Sequence, residues 1–193
     1  MNKYILASSN FNKVLEFKSK LYNIQLISLS QIGYKDKILE YGLTLEDNAL
    51  IKADTIFKKY NMPTISDDTG LEVNYLDGSP GVFSARYAGV DSNTEKNINK
   101  LLYQLDGVKD RKARFRTVIC FKSNTDELFF EGCVSGKIST SSIGENGFGY
   151  DSVFIPDGHK ITFAQMSVLD KNKISHRSIA IEKLSQYFSR IKI

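Results

Sequence analysis

Two β-rich runs, "ARFRTVICFK" (113–122) and "ELFFEGCVSGKI" (127–138), are separated only by "SNTD" and read as an antiparallel hairpin with a short loop. The chain before them has a different rhythm. "KYILASS" (3–9) reads as a buried strand, and Asn10 then caps a helix carrying Val14, Phe17 and Leu21 at helical spacing. "IQLISL" (24–29) reads as a second strand. Thr44 caps a helix whose apolar stripe is Leu45, Ala49, Ala53, Ile56 and Tyr60, with Asn48 and Lys52 four apart on an adjacent polar stripe. "MPTISDD" (62–68) opens another strand, and "DGSPG" (77–81) is a turn cluster. "SNTE" (92–95) reads as a capping box, Ser92 with Glu95, ahead of a helix with Ile98, Leu101, Leu102 and Leu105. A last helix places Ala180, Leu184, Tyr187, Phe188 and Ile191 on one face. Strands alternating with helices, followed by a hairpin, predict an α/β fold with a mixed sheet.

The 193 residues suffice for one domain with a sizeable core, and 1–193 is read as a single domain. With 41% hydrophobic and 25% charged residues the composition is globular. No apolar run is long enough for a membrane span, and "MNKYILASSN" is too short in apolar residues for a secretory signal. A cytoplasmic protein is expected. Cys120 and Cys133 lack metal-ligand spacing and read as buried free thiols, with a disulfide as the alternative. The net charge of +4 suits an anionic substrate without requiring nucleic acid. The densest basic run, "KDRKARFR" (109–116), reads as a solvated turn leading into a strand.

Four stretches could carry chemistry, and each also has a plain structural reading. In "SSNFNKVLEF" (8–17) a helix starts at Asn10 with Lys13 in its first turn. A lysine there opposes the helix dipole unless an anion is near; otherwise it is an exposed lysine on a capped helix. In "SDDTGLEV" (66–73) two adjacent aspartates precede Thr-Gly, where the chain is expected to turn. Strand alternation puts Asp67 and Asp68 on opposite faces, one toward a site and one supporting it; an Asx-turn is the alternative. Glu40 would be a second carboxylate or a surface residue. "GENGFGYD" (144–151) would present Phe148 for stacking, or be a loop with a core phenylalanine. "ISHRSIA" (174–180) starts a helix capped by Ser175 with His176 and Arg177 in its first turn, again against the dipole; otherwise it is a solvated helix start. Carboxylates and lysines aimed at one anion suggest Mg²⁺ with phosphates.

Taken in order, "ASSNFNKVLEF", "SDDTGLEV", "PGVFSARYAG", "GFGYD" and "ISHRSIA" resemble the non-canonical purine nucleoside triphosphate pyrophosphatases, also called the inosine triphosphate pyrophosphatase or HAM1 family. The resemblance covers the whole chain. It implies hydrolysis of ITP, dITP and XTP to monophosphate and pyrophosphate, Mg²⁺ dependence and a homodimer. The fold it implies is an elongated mixed β-sheet with flanking helices and two lobes around a central cleft. By the same resemblance Ser8, Ser9, Asn10, Phe11, Asn12 and Lys13 hold the triphosphate. Asp68 binds metal and accepts the proton of the attacking water, and Glu40 is the other metal carboxylate. Thr69 contacts the nucleotide. Phe148, Gly149, Tyr150 and Asp151 hold the nucleoside, and Lys171, His176 and Arg177 complete the pocket. Lys52 is a further candidate near the phosphates. The chain departs from the family pattern at Ser9, Thr69 and Ser152, none of which removes a charged group. The Maf-like pyrophosphatases share the reaction class, but "GFGYD" and "SHR" point away from them. A binding protein without catalysis would not need Glu40, Asp67 and Asp68, and a nucleic-acid module would concentrate its basic residues on one face. Neither nucleic acid nor a membrane is an expected partner.

Overall fold

Strand β1 (Lys3–Leu6) pairs in parallel with β2 (Gln25–Ser28) on one side and with β3 (Thr64–Val73) on the other. This arrangement needs crossover connections, and helices supply them: α1 (Phe11–Lys20) between β1 and β2, and α2 (Leu45–Tyr60) between β2 and β3. The structure is a computed structural model that describes residues 2–89 and 93–191.

The remaining strands and α-helices are β4 (Pro80–Gly81), α3 (Thr94–Gln104), β5 (Lys112–Lys122), β6 (Glu127–Ile138), β7 (Phe154–Pro156), α4 (Val168–Ile174) and α5 (His176–Arg190). Among the described residues the strand order is β2-β1-β3-β5-β6-β7, with β4 antiparallel on β3 and β7 antiparallel on β6. The mixed sheet with helices read from the sequence is therefore present, and β5 and β6 are the expected neighbours across "SNTD". Asn10 caps α1 and Thr44 caps α2, the latter in a reciprocal capping box with Asp47. The cap of α3 is Asn93, whose side chain accepts from the Lys96 amide; Ser92, expected in that role, lies outside the described residues.

The chain divides into two compact units. The first comprises residues 1–68, 117–132 and 177–193. Its larger core gathers Tyr4, Leu6, Phe17, Leu21, Ile65, Phe121, Leu184 and Phe188; a smaller one holds Ile5, Ala7, Leu29 and Ile56. The second comprises 69–116 and 133–176, with a core of Leu71, Leu101, Leu105, Phe115, Phe154 and Phe163. Neither cysteine forms a disulfide; burial pushes the Cys120 thiol up to about 12.

Three details differ from expectation. The chain does not turn at Thr69-Gly70, because β3 runs on to Val73. Gly70 answers a contact across strands: a Cβ there would stand 2.7 Å from the Gly81 carbonyl oxygen. Ile191 lies past the end of α5 and is exposed. The basic run is not merely solvated, since Arg111 donates to the carbonyls of Leu105, Ile138 and Ser139 and Arg114 pairs with Glu72. Overpacking a close backbone approach costs about 1–3 kcal/mol. Gly70→Ala is expected to lose that much stability in chemical denaturation, with no change in the helical circular dichroism of the folded protein.

Candidate active site

Alternation along β3 sends Asp67 and Asp68 to different neighbours. Asp67 meets the first turns of α1 and α5. Its Oδ2 lies 2.9 Å from Lys13 Nζ and accepts from Arg177 Nε at 3.2 Å. Arg177, 2% exposed, also donates from Nη1 to Glu16 Oε2 at 2.6 Å. Burial alone would raise the Asp67 pKa, but Lys13 and Arg177 outweigh it and hold the carboxyl well below the usual carboxylate range. Burial lowers the Lys13 ammonium despite Asp67, while for Arg177 the desolvation is outweighed by Asp67 and Glu16, which raise it. The two helix starts carrying cations against their dipoles were expected to need an anionic guest. In the structure they share an anion of the chain itself, Asp67.

Asp68 faces α2. Asn48, fully buried, donates from Nδ2 to Asp68 Oδ2 at 3.1 Å, and Lys52 Nζ reaches Asp68 Oδ1 at 3.3 Å. The stripe of Asn48 and Lys52 is thus polar but buried. Lys52 also donates to Glu40 Oε1 at 2.8 Å. Burial disfavours its charge, yet Asp68 and Glu40 together hold it above the ordinary lysine value. Asn48 turns its oxygen the other way and accepts from the Gly42 amide at 2.8 Å. Any Cβ at Gly42 would stand 2.7 Å from that oxygen. One amide therefore ties the segment carrying Glu40 to the carboxylate of Asp68. Asn48 and Glu16 were missed as functional residues in the sequence; the signal available was a polar pair, Asn48 and Lys52, at helical spacing.

The segment from Ser8 to Lys13 is capped from within. Ser8 Oγ accepts from the Asn10 amide, and Asn10 Oδ1 accepts from the amides of Asn12 and Lys13 at 3.0 and 3.2 Å. Two of the first-turn amides expected to meet phosphate are thus engaged by the cap. Ser9, Asn10, Phe11 and Asn12 are exposed.

In the second unit "GFGYD" folds back on its own aspartate. The Phe148 amide donates to Asp151 Oδ2 at 2.8 Å, and Lys171 Nζ meets the same oxygen at 2.5 Å. Gly147 has φ +79°, and a Cβ on it would overlap the Asp151 carboxylate. The Lys171 ammonium sits 5.0 Å from the centre of the half-buried Phe148 ring. Tyr150 is buried and donates to the Ser84 carbonyl at 2.9 Å, which makes it a support of this loop. Gly149, φ +62°, and Thr69 are half-buried. Ser175 ends α4 and precedes α5. His176 is not at a solvated helix start: it is buried, its ring stacked 4.5 Å from that of Phe115.

One unit therefore concentrates carboxylates with a buried and a half-buried lysine; the other concentrates an aromatic ring, an ammonium and a carboxylate. The Ham1 family matches residues 4–187. The dITP/XTP pyrophosphatase of Bacillus licheniformis is 48% identical over 193 residues, covering 96% of this chain and 97% of the relative. That of Flavobacterium psychrophilum is 46% identical over 185 residues, covering 95% and 97%. The structure of the Staphylococcus aureus Ham1 protein superposes with a TM-score of 0.90 at 39% identity, covering 97% of this chain and 98% of that one. A HAM1 protein from Coxiella burnetii gives 0.91 at 36% identity, covering 98% and 100%. The chain belongs to the Ham1 family.

Among the described residues no three His, Cys, Asp or Glu side chains gather into a metal cage, and no helix is long and apolar enough to cross a membrane. Mg²⁺ needs no such cage, because one or two carboxylates with water and substrate oxygens suffice. Glu40 and Asp68 fit it: both are hard oxygen donors, and both already converge on one positive charge, Lys52.

Breaking a buried ion pair by removing one partner costs about 3–5 kcal/mol. Asp67→Asn is expected to lower unfolding free energy by that amount in urea, a larger loss than the exposed Lys173–Asp170 pair gives on Asp170→Asn.

Proposed function

We propose that the chain hydrolyses deaminated purine nucleoside triphosphates, namely dITP, ITP and XTP, to the monophosphate and pyrophosphate. Its family and the names of its relatives support the reaction class. The observation that carries the chemistry is the buried Asp68, engaged at one oxygen by Asn48 and at the other by Lys52, which also holds Glu40.

In this reading Asp68 accepts a proton from the attacking water. The water oxygen forms a bond to the α-phosphorus, the bond from that phosphorus to the bridging oxygen breaks, and pyrophosphate leaves with the electron pair. Asn48 fixes the rotation of the Asp68 carboxylate. Lys13, with Asn10 and its neighbours Ser8, Ser9, Phe11 and Asn12, faces the phosphates. When bound at Glu40 and Asp68, Mg²⁺ supplies charge neutralisation for the phosphates. Arg177, engaged by Asp67 and Glu16, holds Asp67 in place. Phe148 stacks on the base, with Gly149, Tyr150 and Asp151 shaping the loop and Thr69 contacting the nucleotide.

Lys171 and His176 choose the base. Hypoxanthine and xanthine carry a 6-oxo acceptor where adenine carries an amino donor. A cationic donor aimed at that position rejects adenine by leaving a buried group unpaired. We further read 1–193 as one hydrolytic domain, acting as a cytoplasmic homodimer, as the family resemblance implies.

Pyrophosphate release should be measured from dITP, ITP, XTP, GTP and ATP, with and without Mg²⁺. The first three are expected to turn over only with Mg²⁺, and ATP as fast as ITP would refute the base-selection account. Asp68→Asn is expected to keep nucleotide binding by calorimetry and to lose about a hundredfold or more in kcat. Near-normal turnover would remove Asp68 from the role of proton acceptor. Asn48→Ala, which frees the carboxylate to rotate, is expected to lower kcat more than it changes KM.

A further inference from the structure

Lys52 stands where the proposed reaction needs a divalent ion. Its ammonium is 2.8 Å from Glu40 Oε1 and 3.3 Å from Asp68 Oδ1, and the residue is buried. Asn48 engages Asp68 Oδ2, so a cation bridging Glu40 and Asp68 would be directed to Oδ1, the oxygen Lys52 uses. Oxygen ligands of Mg²⁺ lie at about 2.0–2.1 Å, and an ammonium touching the same two oxygens would face a doubly charged ion at van der Waals range. Co-occupancy is therefore unfavourable.

We propose that Lys52 and a divalent cation are alternative partners of Glu40 and Asp68, so that the ion binds well only when the triphosphate draws the ammonium away. The proposal rests on the reading of the site as a metal-assisted pyrophosphatase. Lys52 has the means to move, because its charge sits on a flexible four-carbon stem. It has a reason to move, because a triphosphate offers it several anionic oxygens. The two carboxylates then lose one cation as they gain another, and the buried Asp68 is at no stage left uncompensated. Metal and nucleotide consequently bind with positive cooperativity, and by linkage each raises the affinity for the other. Lys52 is thus a positioning residue: it keeps Glu40 and Asp68 gathered and releases them to the ion on substrate entry.

The test uses Mn²⁺ as the probe on the full chain without nucleotide, read by calorimetry and by the loss of the free-ion electron paramagnetic resonance signal. Lys52→Met is expected to bind Mn²⁺ at least about tenfold more tightly than the wild type, and adding Glu40→Gln to it is expected to abolish the gain. Saturating Mn²⁺ is expected to raise the melting temperature of Lys52→Met and to leave that of the wild type nearly unchanged. Equal affinities of wild type and Lys52→Met would overturn the proposal. So would micromolar stoichiometric binding by the wild type alone, a result that does not depend on any variant folding. The two readings fail separately. A wild type that hydrolyses dITP but shows no Lys52 effect on Mn²⁺ affinity loses only the competition, whereas one that shows the effect but hydrolyses none of the deaminated triphosphates loses only the activity.

Discussion

A single carboxylate, Asp67, sets the terms for the first unit. Lys13 and Arg177 begin two different helices, and each carries a positive charge into a helix start that already has a partial positive charge. Neither placement would be stable with the buried guanidinium and the half-buried ammonium left uncompensated. Asp67, at the crossing of β3 with these helices, makes both tolerable, and Glu16 adds a second anion for Arg177. The same strand then places Asp68 on its other face, against Asn48 and Lys52. Two neighbouring residues of identical chemistry thereby acquire separate surroundings, one dominated by fixed ion pairs and the other by groups that can exchange.

Local chemistry was legible in the sequence. Asn10 and Thr44 cap their helices because capping depends on a side chain reaching amides two or three residues ahead, and the hairpin of β5 and β6 depends on a four-residue loop. That Asp67 and Asp68 would meet different neighbours was legible too, since side chains alternate along a strand. What escaped is non-local. Asn48 and Lys52 looked like a polar stripe because their partner Asp68 lies 20 and 16 residues away. Glu16 drew no reading because its partner Arg177 lies 161 residues further on. Gly70 looked like a turn because the reason for its missing side chain, the carbonyl of Gly81, belongs to another strand.

The second unit reaches a comparable result with different means. Its Lys171 is not placed by a network of charges but by one carboxylate, Asp151, and by the faces of Phe148 and Phe163. Tyr150 and Gly147 make that loop possible, the first by tying it to Ser84, the second by leaving room for the Asp151 carboxylate.

The interleaving of the two units has a consequence for how the protein is made. The last stretch of the second unit closes at residue 176, whereas the first unit still awaits α5. In a chain synthesised from its N-terminus, Asp67 emerges early with Lys13 already present, but Arg177 follows it by 110 residues. The nascent chain therefore carries its carboxylate strand through 110 residues of synthesis before the guanidinium that locks it exists. The unit begun first is completed last, so the order of synthesis and the order of completion are reversed between the two halves of the molecule.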